Sequence, residues 1–267
     1  MNEMPEYKEH PEFENDSEIP GQSAQMQSQQ PIQVKIHLPK RKAIITYAIF
    51  GLTILFYIFQ SLSQTLLGFD LPSSLLIKTN QAISQGQFWR LITPVLLHGS
   101  ILHIAFNMYA LYVIGPVLER FYGHTRFLLI YLLGGFVGNV FSFMLTPLNS
   151  LGASTAVFGL VAAQAVFIYN NRFLFGNQAR ITLINIAGIV IVNLILGLNP
   201  GIDNWGHIGG LLGGLAYAWF AGPILRITGT PPDVDLRDLQ KTNKRTWLTA
   251  LLLVLLFGFV VVIKILN

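Results

Sequence analysis

The sequence predicts an all-α polytopic membrane protein, and three observations carry that expectation: apolar runs of bilayer-spanning length recur along the chain, charged residues are scarce, and the cations gather on alternate sides of the runs. Of the 267 residues, 52% are hydrophobic and only 11% charged. An ordinary soluble domain carries about 25% charged residues, so most of this chain is not built to face water. Apolar runs approaching the length needed for roughly 30 Å of hydrocarbon occupy 44–66, 98–118, 127–147, 154–170, 181–198, 206–225 and 247–266. Seven spans are expected.

Orientation follows from the cations. Fourteen of the seventeen Lys and Arg residues fall on one side of the seven runs, and only Lys78, Arg90 and Lys264 fall on the other. The cation-rich side is expected to be cytoplasmic and to hold the N-terminus. The first 34 residues are polar, with seven acidic residues between Glu3 and Glu18 followed by a Gln/Ser-rich stretch. That composition predicts a disordered cytoplasmic tail with a basic flank over residues 1–42. A six-span core over 43–225, a cytoplasmic loop over 226–246 and a seventh span over 247–267 complete the expected organisation. With neither a signal nor a transit peptide read at its start, the chain is expected in a bacterial plasma membrane.

Composition also excludes several functions. The absence of cysteine removes disulfides, thiolate metal sites and a cysteine nucleophile. The net charge of +4 comes from cations flanking apolar runs rather than from a basic patch, which argues against nucleic acid as a partner. Neither an internal repeat nor a mid-membrane charge points to a transporter. No cofactor is implied.

Polar side chains inside a membrane are costly and usually functional, and here they collect at one end of the spans. The second run opens "HGSILHIAFN", the fourth "STAVFG" and the sixth "GHIGGLLGG", so His98, His103, Asn107, Ser154 and His207 all lie toward the external face. Ser154 occupies the first turn of its helix, where free backbone N–H groups and the helix dipole favour a developing oxyanion; a serine there also reads as a simple N-cap. His207 is followed on the same helical face by Gly210 and Gly214, and the fourth run offers a matching stripe in Ala156, Gly159 and Ala163. If the two stripes pack, nucleophile and base come within reach of each other; the glycines also read as packing residues alone, with His207 interfacial. His103 and Asn107, four residues apart, present N–H donors to the interior and suit an oxyanion hole. A metal held by His98, His103 and His207 is disfavoured, because no metal-site spacing occurs and Asp203 is the nearest carboxylate. No acid lies within the expected span cores, so a Ser-His dyad is the economical arrangement; Asp203, four residues before His207 in a loop, reads either as an assisting carboxylate or as a solvated one. In the segment 67–97, expected at the interface, Trp89 and Arg90 also read as a belt aromatic and a snorkelling cation.

Over residues 44–225 these motifs, in this order, resemble the rhomboid family of intramembrane serine proteases: Trp89-Arg90, His103-x-x-x-Asn107, Gly152-Ala153-Ser154 and His207-x-x-Gly210-x-x-x-Gly214. The resemblance implies Ser154 as nucleophile and His207 as general base and acid. It further implies an oxyanion hole of His103, Asn107 and the Ser154 backbone N–H, with His98 in support. It implies transmembrane protein substrates drawn from the lipid bilayer, and no metal. The family's usual Gly after the serine is Thr155 here, which bears on rate and substrate preference. The rival expectations are a non-catalytic rhomboid-like protein that binds membrane helices, and a small transporter or channel.

Overall fold

Three glycine-bearing helices meet at the centre of this protein, and the remaining helices are arranged around them. The computed structural model describes residues 35–240 and 242–267; the acidic stretch at 1–34 lies outside the described residues. In chain order the elements are β1 (Lys35–His37), α1 (Ile44–Leu67), α2 (Leu71–Leu76), α3 (Asn80–Ser84), α4 (Ile101–Tyr122), α5 (His124–Leu145) and α6 (Ser154–Asn170). They continue with α7 (Arg172–Phe175), α8 (Asn177–Leu196), α9 (Asn204–Ala221), β2 (Leu225–Thr230), β3 (Asp233–Asp238) and α10 (Asn243–Leu266).

Among the described residues, α1, α4, α5, α8 and α10 are each long and apolar enough to cross a bilayer. The other two long helices are the 17-residue α6 and the 18-residue α9, the latter diluted by Gly206, Gly209, Gly210, Gly213 and Gly214. Burial explains the difference. Within α5, 67% of the apolar stretch is buried by the protein, against 22% in α1, 17% in α10 and 11% in α8. The outer helices present Leu55, Phe106, Ile184, Ile191, Leu255 and Phe259 outward, as lipid-facing surfaces do, while α5, α6 and α9 face one another.

That central contact works because its helices lack side chains where they meet. A Cβ added at Gly214 would lie 2.1 Å from the Gly159 carbonyl oxygen, and one at Gly210 would lie 2.1 Å from that of Thr155. On the next interface a Cβ at Gly134 of α5 would stand 3.1 Å from the Gly159 Cα, and Gly209 and Gly213 face Phe141 and Val137. Ala156 lies against Gly134 and Gly135 of α5, so the small stripe of α6 serves two neighbours. Such backbone proximity maximises dispersion where apolar burial gives no drive between lipid-bathed helices.

Helix ends are finished by short-range chemistry. Gly68, at φ 79°, closes α1 in the left-handed conformation. Asp70, Ser100 and Asp203 accept from the backbone N–H of Ser73, His103 and Gly206 to start α2, α4 and α9. No side chain of its own caps α1; instead Glu119, fully buried near the end of α4, accepts from the Ile45 and Thr46 N–H groups at 2.8 Å and from Thr46 Oγ1 at 2.6 Å. His124 Nδ1 lies 2.5 Å from the same carboxylate. Glu119 lies one residue beyond the apolar run 98–118, and the helix continues past it to Tyr122.

The hairpin of β2 and β3 occupies 225–238, which falls almost wholly within the cytoplasmic loop expected over 226–246, and β1 adds in parallel to β3 to give the order β1-β3-β2. The strict alternation of "DVDLRD", which buries Val234 and leaves Asp233 and Asp235 exposed, is the pattern that dictates it. Arg126 Nη1 ties the sheet to α5 through Asp238 at 2.8 Å.

Replacing Gly214 by Val forces two backbones apart and is expected to lower stability by about 2 kcal/mol or more. Thermal unfolding in detergent checks this; a variant that melts with the wild type shows that α6 and α9 are not held by this contact.

Candidate active site

Ser154 is the first residue of α6, and its approach is fixed from two directions. The Gly152 N–H donates to Pro94 O at 2.9 Å, and the Ala153 N–H donates to His98 Nε2 at 3.4 Å. Gly152 takes φ 129°, which a side chain rarely adopts, and a Cβ there would stand 2.6 Å from His103 Nε2 and 3.7 Å from Ser154 Oγ. The bare face of Gly152 therefore leaves open the space between the His103 ring and the serine hydroxyl.

His207 comes from the first turn of α9, whose start is fixed by the Asp203 carboxylate accepting from Gly206 N at 2.9 Å. Its Nε2 lies 2.9 Å from Ser154 Oγ, a hydrogen bond the hydroxyl donates when Nε2 is the unprotonated nitrogen. The imidazole is 9% exposed and stacks on Phe158 at 4.4 Å between centroids with the planes 17° apart. Nδ1 has no partner among the described residues, and one Asp203 oxygen is likewise unpartnered, so no carboxylate orients the ring. Aromatic stacking and the capped helix hold it instead.

His98 and His103 meet edge to face, with centroids 5.0 Å apart. Because His98 Nε2 accepts from Ala153, it stands as a neutral ring at that contact; its backbone N–H is fixed by Gln60 Oε1 of α1 at 3.0 Å. Asn107 is buried and joins the cluster through His103, donating from Nδ2 to that residue's carbonyl at 2.9 Å and leaving its second N–H free to donate elsewhere. Ser154, His207, His103 and His98 are thus brought together, with Asn107 one helical turn deeper.

Trp89 and Arg90 lie outside this cluster. Trp89 is half exposed and its Nε1 donates to Leu75 O at 3.1 Å. Arg90 is buried rather than snorkelling: its guanidinium donates to Ser74 O and Ile77 O, both at 2.8 Å, and to Gln87 Oε1 at 2.7 Å, which fastens the 71–97 segment to itself. Among the described residues no group of three or more His, Asp or Glu side chains is arranged to hold a metal.

Two participants were not singled out from sequence. Phe158 was legible as i+4 from Ser154 on one helix face. Gly152 stood inside the motif, but the role of its missing side chain depends on where His103 lies. Thr155 occupies a slot opened by neighbouring glycines: its Cβ and Cγ2 lie 2.7 and 2.9 Å from where a Cβ would stand on Gly138, and its Cγ2 lies 3.1 Å from one on Gly206. Its hydroxyl is buried without a partner among the described residues. Thr155→Val, which keeps the shape and removes that hydroxyl, is expected to raise stability by about 1 kcal/mol in thermal unfolding. A loss instead would show that the hydroxyl is satisfied in the folded protein.

Comparison with known proteins gives the site a context. A family model described as the Rhomboid domain matches residues 85–224, which include every residue of this cluster except Gln60. "Rhomboid protease GluP" of Bacillus subtilis (strain 168) is 41% identical over 184 residues, covering 66% of this chain and 34% of that protein. "RHOMBOID-like protein 4" of Arabidopsis thaliana is 39% identical over 150 residues, covering 54% of this chain and 38% of that protein. "Putative rhomboid protease YdcA" of Bacillus subtilis (strain 168) is 34% identical over 142 residues, covering 52% of this chain and 70% of that protein. The match spans little more than a third of the first two relatives. With the family model covering more than half of it, the chain belongs to the rhomboid family and is an all-α, multi-pass membrane protein of rhomboid fold.

Proposed function

We propose that this protein is an intramembrane serine endopeptidase that cleaves peptide bonds in or near the transmembrane segments of other proteins. The observation that carries the reading is the 2.9 Å contact between Ser154 Oγ and His207 Nε2 at one end of the bundle, beside the His103 ring. Protease-named relatives within the family support the same reaction class.

In the proposed reaction His207 Nε2 takes the Ser154 proton as Oγ attacks the scissile carbonyl, and then returns it to the leaving amine. The tetrahedral oxyanion is held by His103, the Asn107 amide and the Ser154 backbone N–H at the start of α6, where the helix dipole adds to the attraction. Water then hydrolyses the acyl-enzyme. A peptide bond inside a helix is closed to attack, so the substrate segment unwinds before it reaches Ser154. It enters laterally past α8, which buries only Ala179 and Ile186 and is the least fastened of the long helices. Residues 43–225 form the catalytic unit, with α10 appended. In the proposed plasma-membrane setting, the excess of cations at the opposite end supports an active site toward the external face and a cytoplasmic N-terminus.

Purified protein in proteoliposomes, given a reporter membrane helix, tests the reading. Ser154→Ala and His207→Ala are each expected to lower kcat by at least about a thousandfold, and His103→Ala and Asn107→Ala by about a hundredfold each. A folded wild type that yields no product from several reporters contradicts the reading and favours a rhomboid-like protein that binds membrane helices without cutting them.

A further inference from the structure

Lys78 stands between α2 and α3 and is fully buried. Its Nζ donates to three backbone carbonyls, at 2.8 Å to Leu148, 3.2 Å to Ser142 and 3.3 Å to Thr146. Ser142 and Thr146 belong to the last turn and cap of α5, whose terminal carbonyls lack helical partners and carry the negative end of the dipole. Leu148 belongs to the loop 146–153 that runs from α5 to Ser154. The lysine backbone grips the same loop: its N–H donates to Ser150 O at 3.1 Å and its carbonyl accepts from Ser150 N at 3.2 Å. Beyond Ser150 the chain is pinned at Gly152 and Ala153 before it enters α6.

The charge surroundings of this ammonium are sparse. Neither α3 nor the 146–153 loop contains a titratable side chain. Arg90 is the neighbouring cation, turned to the carbonyls of Ser74 and Ile77. Lys78 forms no ion pair among the described residues. The carboxylate whose charge reaches it is Asp203, the cap of the helix that carries His207. One buried cation thus touches the segment leading to the serine and attracts the residue that starts the histidine helix.

Resting on the hydrolase reading above, we propose that Lys78 is a positioning residue: its ammonium holds the 146–153 loop, and through it Ser154, in register with His207, so that turnover requires a buried lysine to stay charged. Burial pushes its pKa down from 10.5 to about 8, with Asp203 pulling the other way. An ammonium has three N–H donors for the three carbonyls, whereas the neutral amine has two. As pH rises through about 8, one carbonyl loses its partner, the end of α5 loses its countercharge, and activity falls. Global stability moves oppositely: between about 8 and 10.5 the unfolded chain binds more protons at this site than the folded one, so the contribution of Lys78 to stability rises with pH. Activity lost without loss of stability is the signature of lost position.

The test uses the full chain in proteoliposomes from about pH 6 to about pH 10, reading reporter cleavage and hydrogen exchange of residues 146–153 in wild type, Lys78→Arg and Lys78→Met. In wild type, cleavage is expected to fall about tenfold per unit well above pH 8 while loop exchange rises beyond its intrinsic pH dependence. Lys78→Arg, permanently charged, shifts both transitions upward, and Lys78→Met abolishes both and is about tenfold slower at neutral pH. The same alkaline transitions persisting in Lys78→Met overturn the proposal, as does wild-type loop exchange with no transition. The exchange measurement does not depend on catalysis: an inactive wild type that still shows the Lys78-dependent transition counts against the hydrolase reading and supports the lysine's hold on the loop.

Discussion

Gly210 and Gly214 leave α9 without side-chain volume on the face it turns to α6, and the backbone of Thr155 and Gly159 fills that space. Ser154 and His207 sit at the tops of these two helices, so their 2.9 Å separation follows from how closely the helices approach below them. The constraint spreads outward. Because α6 must also accept α5 across Gly134, three helices become mutually buried, and the lipid-facing work passes to α1, α4, α8 and α10. A helix as rich in glycine as α9 would be a poor lone span, and it is tolerated because its neighbours replace lipid around it.

The irregular segment at the Ser154 end is held together by a second rule, that buried carbonyls must find donors. Cationic and amide side chains supply them: Arg90 serves Ser74 and Ile77, Lys78 serves the end of α5 and the loop beyond it, and Asn139 Nδ2 serves Leu91 at 3.1 Å. Gln60 does double duty, reaching Asp70 and Ser73 with its amide nitrogen while its oxygen accepts from His98 N. At the other end of α4 the logic inverts, and Glu119 accepts from the donors that begin α1. Non-helical backbone can sit close to the bundle because each of these side chains restores what the helix would have provided.

Much of this was legible in the sequence because membrane helices announce themselves by unbroken apolarity and because the polar residues that interrupt it are few. All seven apolar runs correspond to long helices, and Ser154 begins its helix as the first-turn reading requires. The misplaced features are those in which a side chain acts at a distance in sequence. Lys78 reads from sequence only as an external cation, and Arg90 as a snorkelling cation or half of the Trp89-Arg90 motif, since carbonyl partners that lie 13 to 70 residues away leave no local pattern. Glu119 fell just past an estimated helix end, although its role is set by α1. The hairpin at 225–238 is hidden in the sequence because the charges of its alternating pattern equally suit a cytoplasmic loop beside a span. Phe158 and the bare face of Gly152 acquire meaning only once the partner ring is placed above them.

The central claim is that the α6–α9 contact sets Ser154 and His207 as a reacting pair facing an oxyanion hole. The most direct measurement is a crystal structure of the protein after reaction with a fluorophosphonate, whose tetrahedral phosphorus mimics the acyl-transfer intermediate. The account predicts phosphorus bonded to Ser154 Oγ, His207 Nε2 beside it, and the phosphoryl oxygen within hydrogen-bonding distance of His103, Asn107 and the Ser154 N–H. An adduct on another residue, or one at Ser154 whose phosphoryl oxygen points away from His103 and Asn107, would contradict it.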